Sequence, residues 1–182
     1  MTDSNQLTSA TYILELSFDA VQVTETLQYR IFTDAGERCD ELGHGPLAGT
    51  FNFQKNDQII VQIVGSAESK PGLGTIPEFD YEIVDCTLVS IKPPGDQDLS
   101  FFDPANACTA ISGWKTDKPV VDPENSRVTI TNSTKKPLLV TAEEGQWKIS
   151  GYLSVIVKLN DKEMNKLYFF DPEGSVGTGG WG

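Results

Sequence analysis

Leu167-Tyr168-Phe169-Phe170-Asp171-Pro172-Glu173-Gly174-Ser175 decides the fold class of this chain, because it occurs nearly twice. The earlier copy is Leu99-Ser100-Phe101-Phe102-Asp103-Pro104-Ala105-Asn106-Ala107, and a Gly-Trp pair follows each copy, at Gly113-Trp114 and Gly180-Trp181. A shorter version, Val120-Val121-Asp122-Pro123-Glu124-Asn125-Ser126, lies between them. An apolar run that stops at Asp-Pro and then reaches Asn or Gly describes a strand leaving a sheet into a tight turn. The carboxylate accepts backbone N–H groups, Pro removes a ladder donor, and Asn or Gly tolerates positive φ. Turns are therefore expected to start at Asp103, Asp122 and Asp171, with Asn106, Asn125 and Gly174 at positive φ.

Alternation with period two surrounds this unit. Tyr12, Leu14, Leu16 and Phe18 share one face of Thr11–Asp19, and Leu153, Val155 and Val157 share one face of a later run. Both patterns describe half-buried strands. Ile59, Val61, Ile63 and Phe169 join them in the expected core. Residues 49–53 and 58–64 read as a hairpin about Lys55-Asn56-Asp57, and 127–131 with 138–141 as a second pair. In 79–91 the apolar phase changes near Asp85, where a bulge is expected. No segment has a convincing amphipathic helical pattern; the nearest is 161–167. The expectation is an all-β fold, an antiparallel β-sandwich of roughly 8–11 strands. Residues 11–175 would form a single sandwich domain between a flexible N-terminus, 1–10, and a flexible Gly-rich tail, 176–182.

Composition narrows the partners. The chain carries 14 basic and 26 acidic residues, a net charge of −12, and its basic residues are scattered. Nucleic acid and anionic membranes need clustered Lys and Arg, so neither is an expected partner. No apolar run approaches membrane-spanning length. Met1–Ala10 has neither the basic nor the apolar region of a secretory signal. The cysteines number 3, with no Cys-x-x-Cys, which suits reduced thiols and a cytoplasmic location.

Chemistry-bearing patterns are sparse. The single His, His44, stands in Gly43-His44-Gly45-Pro46, a poor mount for a general base. No Gly-x-Ser-x-Gly elbow, zinc-ligand set or phosphate loop accompanies it, so no catalytic residue and no enzyme are expected. Asp171 and Glu173 are the candidate metal ligands, with Ca²⁺ the cation that such oxygens suit. Trp114 and Trp181 follow turns and are the candidate ligand-binding aromatics, because a sugar ring stacks on an indole. No other cofactor is called for.

Two segments carry a family resemblance. Leu47-Ala48-Gly49-Thr50-Phe51-Asn52-Phe53-Gln54-Lys55-Asn56-Asp57-Gln58-Ile59 resembles a hairpin in bacterial inclusion-body proteins of the AidA/PixA type. Lys166-Leu167-Tyr168-Phe169-Phe170-Asp171-Pro172 resembles their C-terminal strand, and Asp171-Pro172-Glu173 is similar to the close of the short bacterial DP-EP proteins. The Asp- and Tyr-rich opening of the AidA type is missing. The resemblance implies a cytoplasmic bacterial β-sandwich without established enzymatic activity, and it transfers no catalytic residue. The functional expectation is a non-catalytic sandwich, a homo-oligomer that acts through self-association or ligand binding. The alternative is a calcium- or aromatic-dependent carbohydrate-binding module.

Overall fold

The computed structural model describes residues 9–39, 51–69, 75–91, 101–103, 108–142, 145–171 and 173–176. No helix occurs among them, and the fold is all-β. The first sheet contains β1 (Thr11–Asp19), β2 (Gln28–Thr33), β4 (Gln58–Glu68), β6 (Phe102–Asp103), β8 (Trp114–Thr116), β9 (Val120–Asp122), β10 (Arg127–Thr134) and β11 (Leu138–Val140). The second contains β3 (Phe51–Phe53), β5 (Phe79–Ile91), β7 (Cys108–Ala110), β12 (Gly145–Leu159), β13 (Lys162–Phe170) and β14 (Glu173–Val176).

These 14 strands exceed the expected number for a geometric reason. Long strands are bordered by short collinear ones. One edge of β4 is lined by β10 and then β11, and one edge of β12 by β13 and then β14. The segment 138–141 thus continues along β4 after β10; it does not fold back as its hairpin partner. The ladders are also not wholly antiparallel. β1 runs parallel to β4, and β14 parallel to β3.

The expected hairpin at 49–64 is instead a corner between the sheets. β3 pairs β14 in the second sheet, whereas β4 lies between β1 and β10 in the first. Asp57 sets the corner. It is 1% exposed, and its carboxylate accepts the backbone N–H of Gln54 at 2.6 Å and of Ala10 at 2.9 Å. Asn56 supplies the left-handed residue, φ 77°. A buried carboxylate that satisfies backbone donors turns the chain out of plane, and the Asn-Asp signal alone does not distinguish this from a hairpin.

The alternating faces of β1, β4 and β12 meet between the sheets, with Leu16, Val61, Ile63, Leu153, Val155 and Val157 all at 0% exposure. Aromatic rings fill the gap edge to face: Phe18 on Tyr81 at 5.1 Å and Phe101 on Trp147 at 5.6 Å. Tyr12, expected in the core, is half-buried against Phe53. The bulge falls where the phase change placed it: Ser154 opposes Asp85, Val155 opposes Ile83, and Val84 is left over and exposed.

Tyr81 joins the two sheets. From β5 its hydroxyl donates to the carbonyl of Ile63 on β4 at 2.7 Å, and lies 3.3 Å from that of Ile130 on β10. The ring fits because β4 has Gly65 beneath it. A Cβ there would stand 2.6 Å from Tyr81 Cε1 and 2.8 Å from Phe18 Cζ. Gly65→Ala should therefore cost about 1–3 kcal/mol in urea denaturation by overpacking; an unchanged midpoint would refute this account of the crossing.

Candidate functional site

β13 distributes its aromatics unequally. Tyr168 and Phe170 are buried, at 1% and 3% exposure, whereas Phe169 is 47% exposed. The expectation that Phe169 belongs to the core is thus corrected. Pairing fixes the phase: Tyr168 opposes Leu153 and Phe170 opposes Gly151, both on the inner face of β12. Gly151 makes room for a ring, since a Cβ there would lie 2.5 Å from Phe170 Cε1. That glycine is the sequence signal that could have set the phase. Lys166 shares the inner phase but sits at the sheet edge, where its Nζ reaches the Gln22 carbonyl at 3.4 Å.

Phe169 therefore stands on the outer face of the second sheet. Directly opposite it on β12 is Tyr152, and opposite Tyr152 on β5 is Thr87. The Tyr152 hydroxyl donates to Asp85 Oδ2 at 2.9 Å, and the Thr87 hydroxyl to Asp85 Oδ1 at 3.3 Å. Leu167, 46% exposed, opposes Ser154 one row away, and the bulge residue Val84 is 59% exposed. The result is a sheet face of aromatic and aliphatic side chains around one hydrogen-bonded carboxylate.

A hydrogen-bonded loop borders this face. Gln22 holds it through both ends of its carboxamide. Oε1 accepts the Asp19 N–H at 2.8 Å, and Nε2 donates to the carbonyls of Thr24 at 2.9 Å and Thr26 at 3.2 Å. The loop then covers the backbone edge of β13. Phe169 N–H donates to Glu25 at 2.7 Å, and Leu27 N–H to Phe169 at 2.8 Å. On it Val21 and Val23 are 59% and 94% exposed.

The residues singled out from the sequence do not converge. Trp114 begins β8 in the first sheet, half-buried against the core. Asp171 is exposed just beyond β13, and Glu173 lies in β14 opposite Lys148. Trp181, Asn106 and His44 lie outside the described residues, as do 1–8 and 177–182. Among the described residues no group of three or more His, Cys, Asp or Glu is gathered to hold a metal ion. Gly174 is a strand residue, opposite Trp147 and Phe51, and not part of a turn. Asp103 belongs to β6 and pairs with Leu139.

Asp122 does head a turn. Its carboxylate accepts the N–H of Glu124 at 3.1 Å and of Asn125 at 3.2 Å, and the Asn125 amide at 2.7 Å. The positive φ, 48°, falls on Ser126 and not on Asn125, which is occupied as the side-chain donor.

Burial sets the titration of several other groups. It pushes the Cys86 thiol up to about 12, with Asp85 adding to the effect. It also raises Tyr168 to about 12, helped by Asp19, and raises Tyr81.

No family model matches the chain, and no curated protein matches it. Among solved structures it is similar to an inclusion body protein of the PixA type from Burkholderia cenocepacia J2315, with a TM-score of 0.40 and 8% identity. The match covers 95% of this chain and 99% of that one. This is the protein type that segments 47–59 and 166–172 resemble, and at this level of similarity nothing further is transferred from it.

Two measurements follow from these local geometries. The Asn125 amide, then the backbone N–H groups, hold the Asp122 carboxyl below its ordinary value of 3.8. A depressed folded-state pKa stabilises the turn above the unfolded value and is lost as pH falls through the folded one. Asn125→Ala should bring the Asp122 titration, followed by carboxyl-carbon NMR, back toward 3.8; no movement would remove Asn125 as the cause. Iodoacetamide applied to the native protein should label the exposed Cys108 well before the buried Cys86. Equal labelling by mass spectrometry would show that the core opens readily.

Proposed function

We propose that the protein is a non-catalytic β-sandwich that works by association, pairing with a second copy of itself through the outer face of the second sheet. The observation that supports this is the exposure of Phe169 beside Tyr152. The fold does not need an aromatic ring at that position, because Tyr168 and Phe170 already fill the inner phase. An antiparallel sheet with one solvated face normally places polar residues there. Here Leu167, Phe169, Tyr152 and Val84 form the pattern that a sheet presents to another sheet, and a two-fold pairing would cover it with the same pattern.

Charge modulates this reading. Two copies at −12 each repel, and salt screens the repulsion without weakening apolar contact. A cytoplasmic location belongs to the same proposal and is supported by the sequence, which has 3 cysteines and no Cys-x-x-Cys.

Light scattering and sedimentation velocity across a concentration series test it. The wild type should be oligomeric at tens of micromolar in physiological salt, and more so at higher salt. Phe169→Asp should weaken association at least about tenfold, since an apolar contact of about 1.5–3 kcal/mol is lost and a charge is added. At concentrations low enough for both proteins to be monomeric, its urea midpoint should stay near wild type, because the ring lies outside the core. A wild-type monomer under these conditions, or an oligomer indifferent to Phe169→Asp, would overturn the proposal.

A further inference from the structure

On the outer face of the first sheet, β1, β2, β4 and β10 frame a polar cleft of about 120 Å³. Ser17, Asp19, Gln22, Gln28, Ser66 and Arg127 line it, with Phe18 at its base. We infer that this cleft is a site for a neutral polyhydroxylated ligand, a sugar whose neighbouring hydroxyls are held between the Arg127 guanidinium and the Asp19 carboxylate.

The cleft is built into the sheet. Asp19 and Ser66 are partners in the parallel β1–β4 register, and Ser17 and Gln28 are partners across β1–β2. Ser66 is only 4% exposed although it occupies the outer phase. Its hydroxyl accepts Arg127 Nη2 at 2.8 Å and reaches the Phe18 carbonyl at 3.5 Å, so both of its roles are spent on fixing the guanidinium. One of five N–H donors is thereby used and the planar fork is oriented. Asp19 is fixed in the same way, its Oδ1 accepting the Val21 N–H at 2.9 Å. Gln22 is consumed by its loop and forms a wall. Below, Phe18 stacks on Tyr168, whose hydroxyl is buried without a hydrogen-bond partner and feels the field of Asp19.

Charge selects the ligand class. Arg127 is flanked in register by Asp122 on β9 and Glu68 on β4, and Asp19 adds a third carboxylate. An anion such as phosphate would meet more negative than positive charge, and a simple cation would face the guanidinium. A hydroxyl group suits both sides, because it donates to a carboxylate while accepting from an N–H. The cleft has room for several waters, enough for one edge of a pyranose ring.

Amide NMR titration of the full chain tests this with D-glucose, D-galactose and N-acetyl-D-glucosamine, and with sodium phosphate and methylammonium as charged controls. At least one sugar should give saturable shifts at Ser17, Asp19, Ser66 and Arg127 in the millimolar range. Arg127→Met and Asp19→Asn should each weaken that binding at least about tenfold. Asn keeps the acceptor for the Val21 N–H, so Asp19→Asn separates ligand contact from loop support, and urea midpoints near wild type certify both folds. Phe169→Asp should leave the titration unchanged, which separates this site from the proposed association face. No saturable shift with any of the sugars, shifts that persist in both cleft variants, or tighter binding of phosphate or methylammonium would overturn the assignment.

Discussion

The sandwich depends on one crossing, where Tyr81 reaches from β5 over Gly65 to the carbonyls of Ile63 and Ile130. A phenol at the centre of an apolar core must hydrogen-bond or cost stability. The available acceptors are carbonyls on two adjacent strands of the opposite sheet, so the bond fixes the position of β5 against both β4 and β10. Desolvation drives the hydroxyl's pKa up, in keeping with its role as a hydrogen-bond donor. Gly65 is the complement of this ring: any side chain there would take the space that the ring needs. Phe18 closes the group by packing edge-on to Tyr81 while it stacks on Tyr168 of β13. Three rings and a glycine therefore set the spacing of the sheets, and among the described residues both candidate surfaces lie on the outer faces.

The edges of the sheets are then managed locally. β13 would offer a backbone edge beside Phe169, but Glu25 and Leu27 bond to it from the loop that Gln22 organises. Lys166 points inward at the same edge, an arrangement that disfavours edge-to-edge pairing. Thr33 and Ile31 on β2 likewise bond to Glu37 and Cys39. With these edges occupied within the chain, continuation of β13 by a strand of another copy is blocked at Phe169. Association through this region then has to use the face of the sheet, where the side chains are.

What could be read from the sequence divides along the same physical line. The cores of β1, β4 and β12 were legible because period-two alternation over eight or more residues has one interpretation. The bulge near Asp85 was legible because a change of phase inside a strand needs an extra residue. The corner at Asp57 was not, since hairpin and corner use the same turn residues and differ only in where the strands find partners. Phe169 was misplaced because Tyr-Phe-Phe is apolar in both phases, so only Gly151 on the facing strand distinguishes them. The Asp-Pro repeat stands in different settings. Phe101 and Phe102 are both buried near the first sheet, whereas the second copy splits its pair between core and surface.

The candidate surfaces were the least legible part, because each is assembled from strands far apart in sequence. The cleft joins Ser17 and Asp19 to Ser66 and Arg127 only through the parallel β1–β4 ladder and the β10 crossing. None of these residues stands in a motif, and Arg127 and Asp19 look like ordinary turn-flanking charges in one dimension. The tryptophans drew attention by their size, yet Trp114 is held partly in the core. A sandwich fold uses its large side chains first to fill the space between sheets. Function on such a scaffold has to be sought where a residue departs from what packing requires: an aromatic ring on a solvent-facing phase, as at Phe169, or a buried hydroxyl that pins a surface guanidinium, as at Ser66.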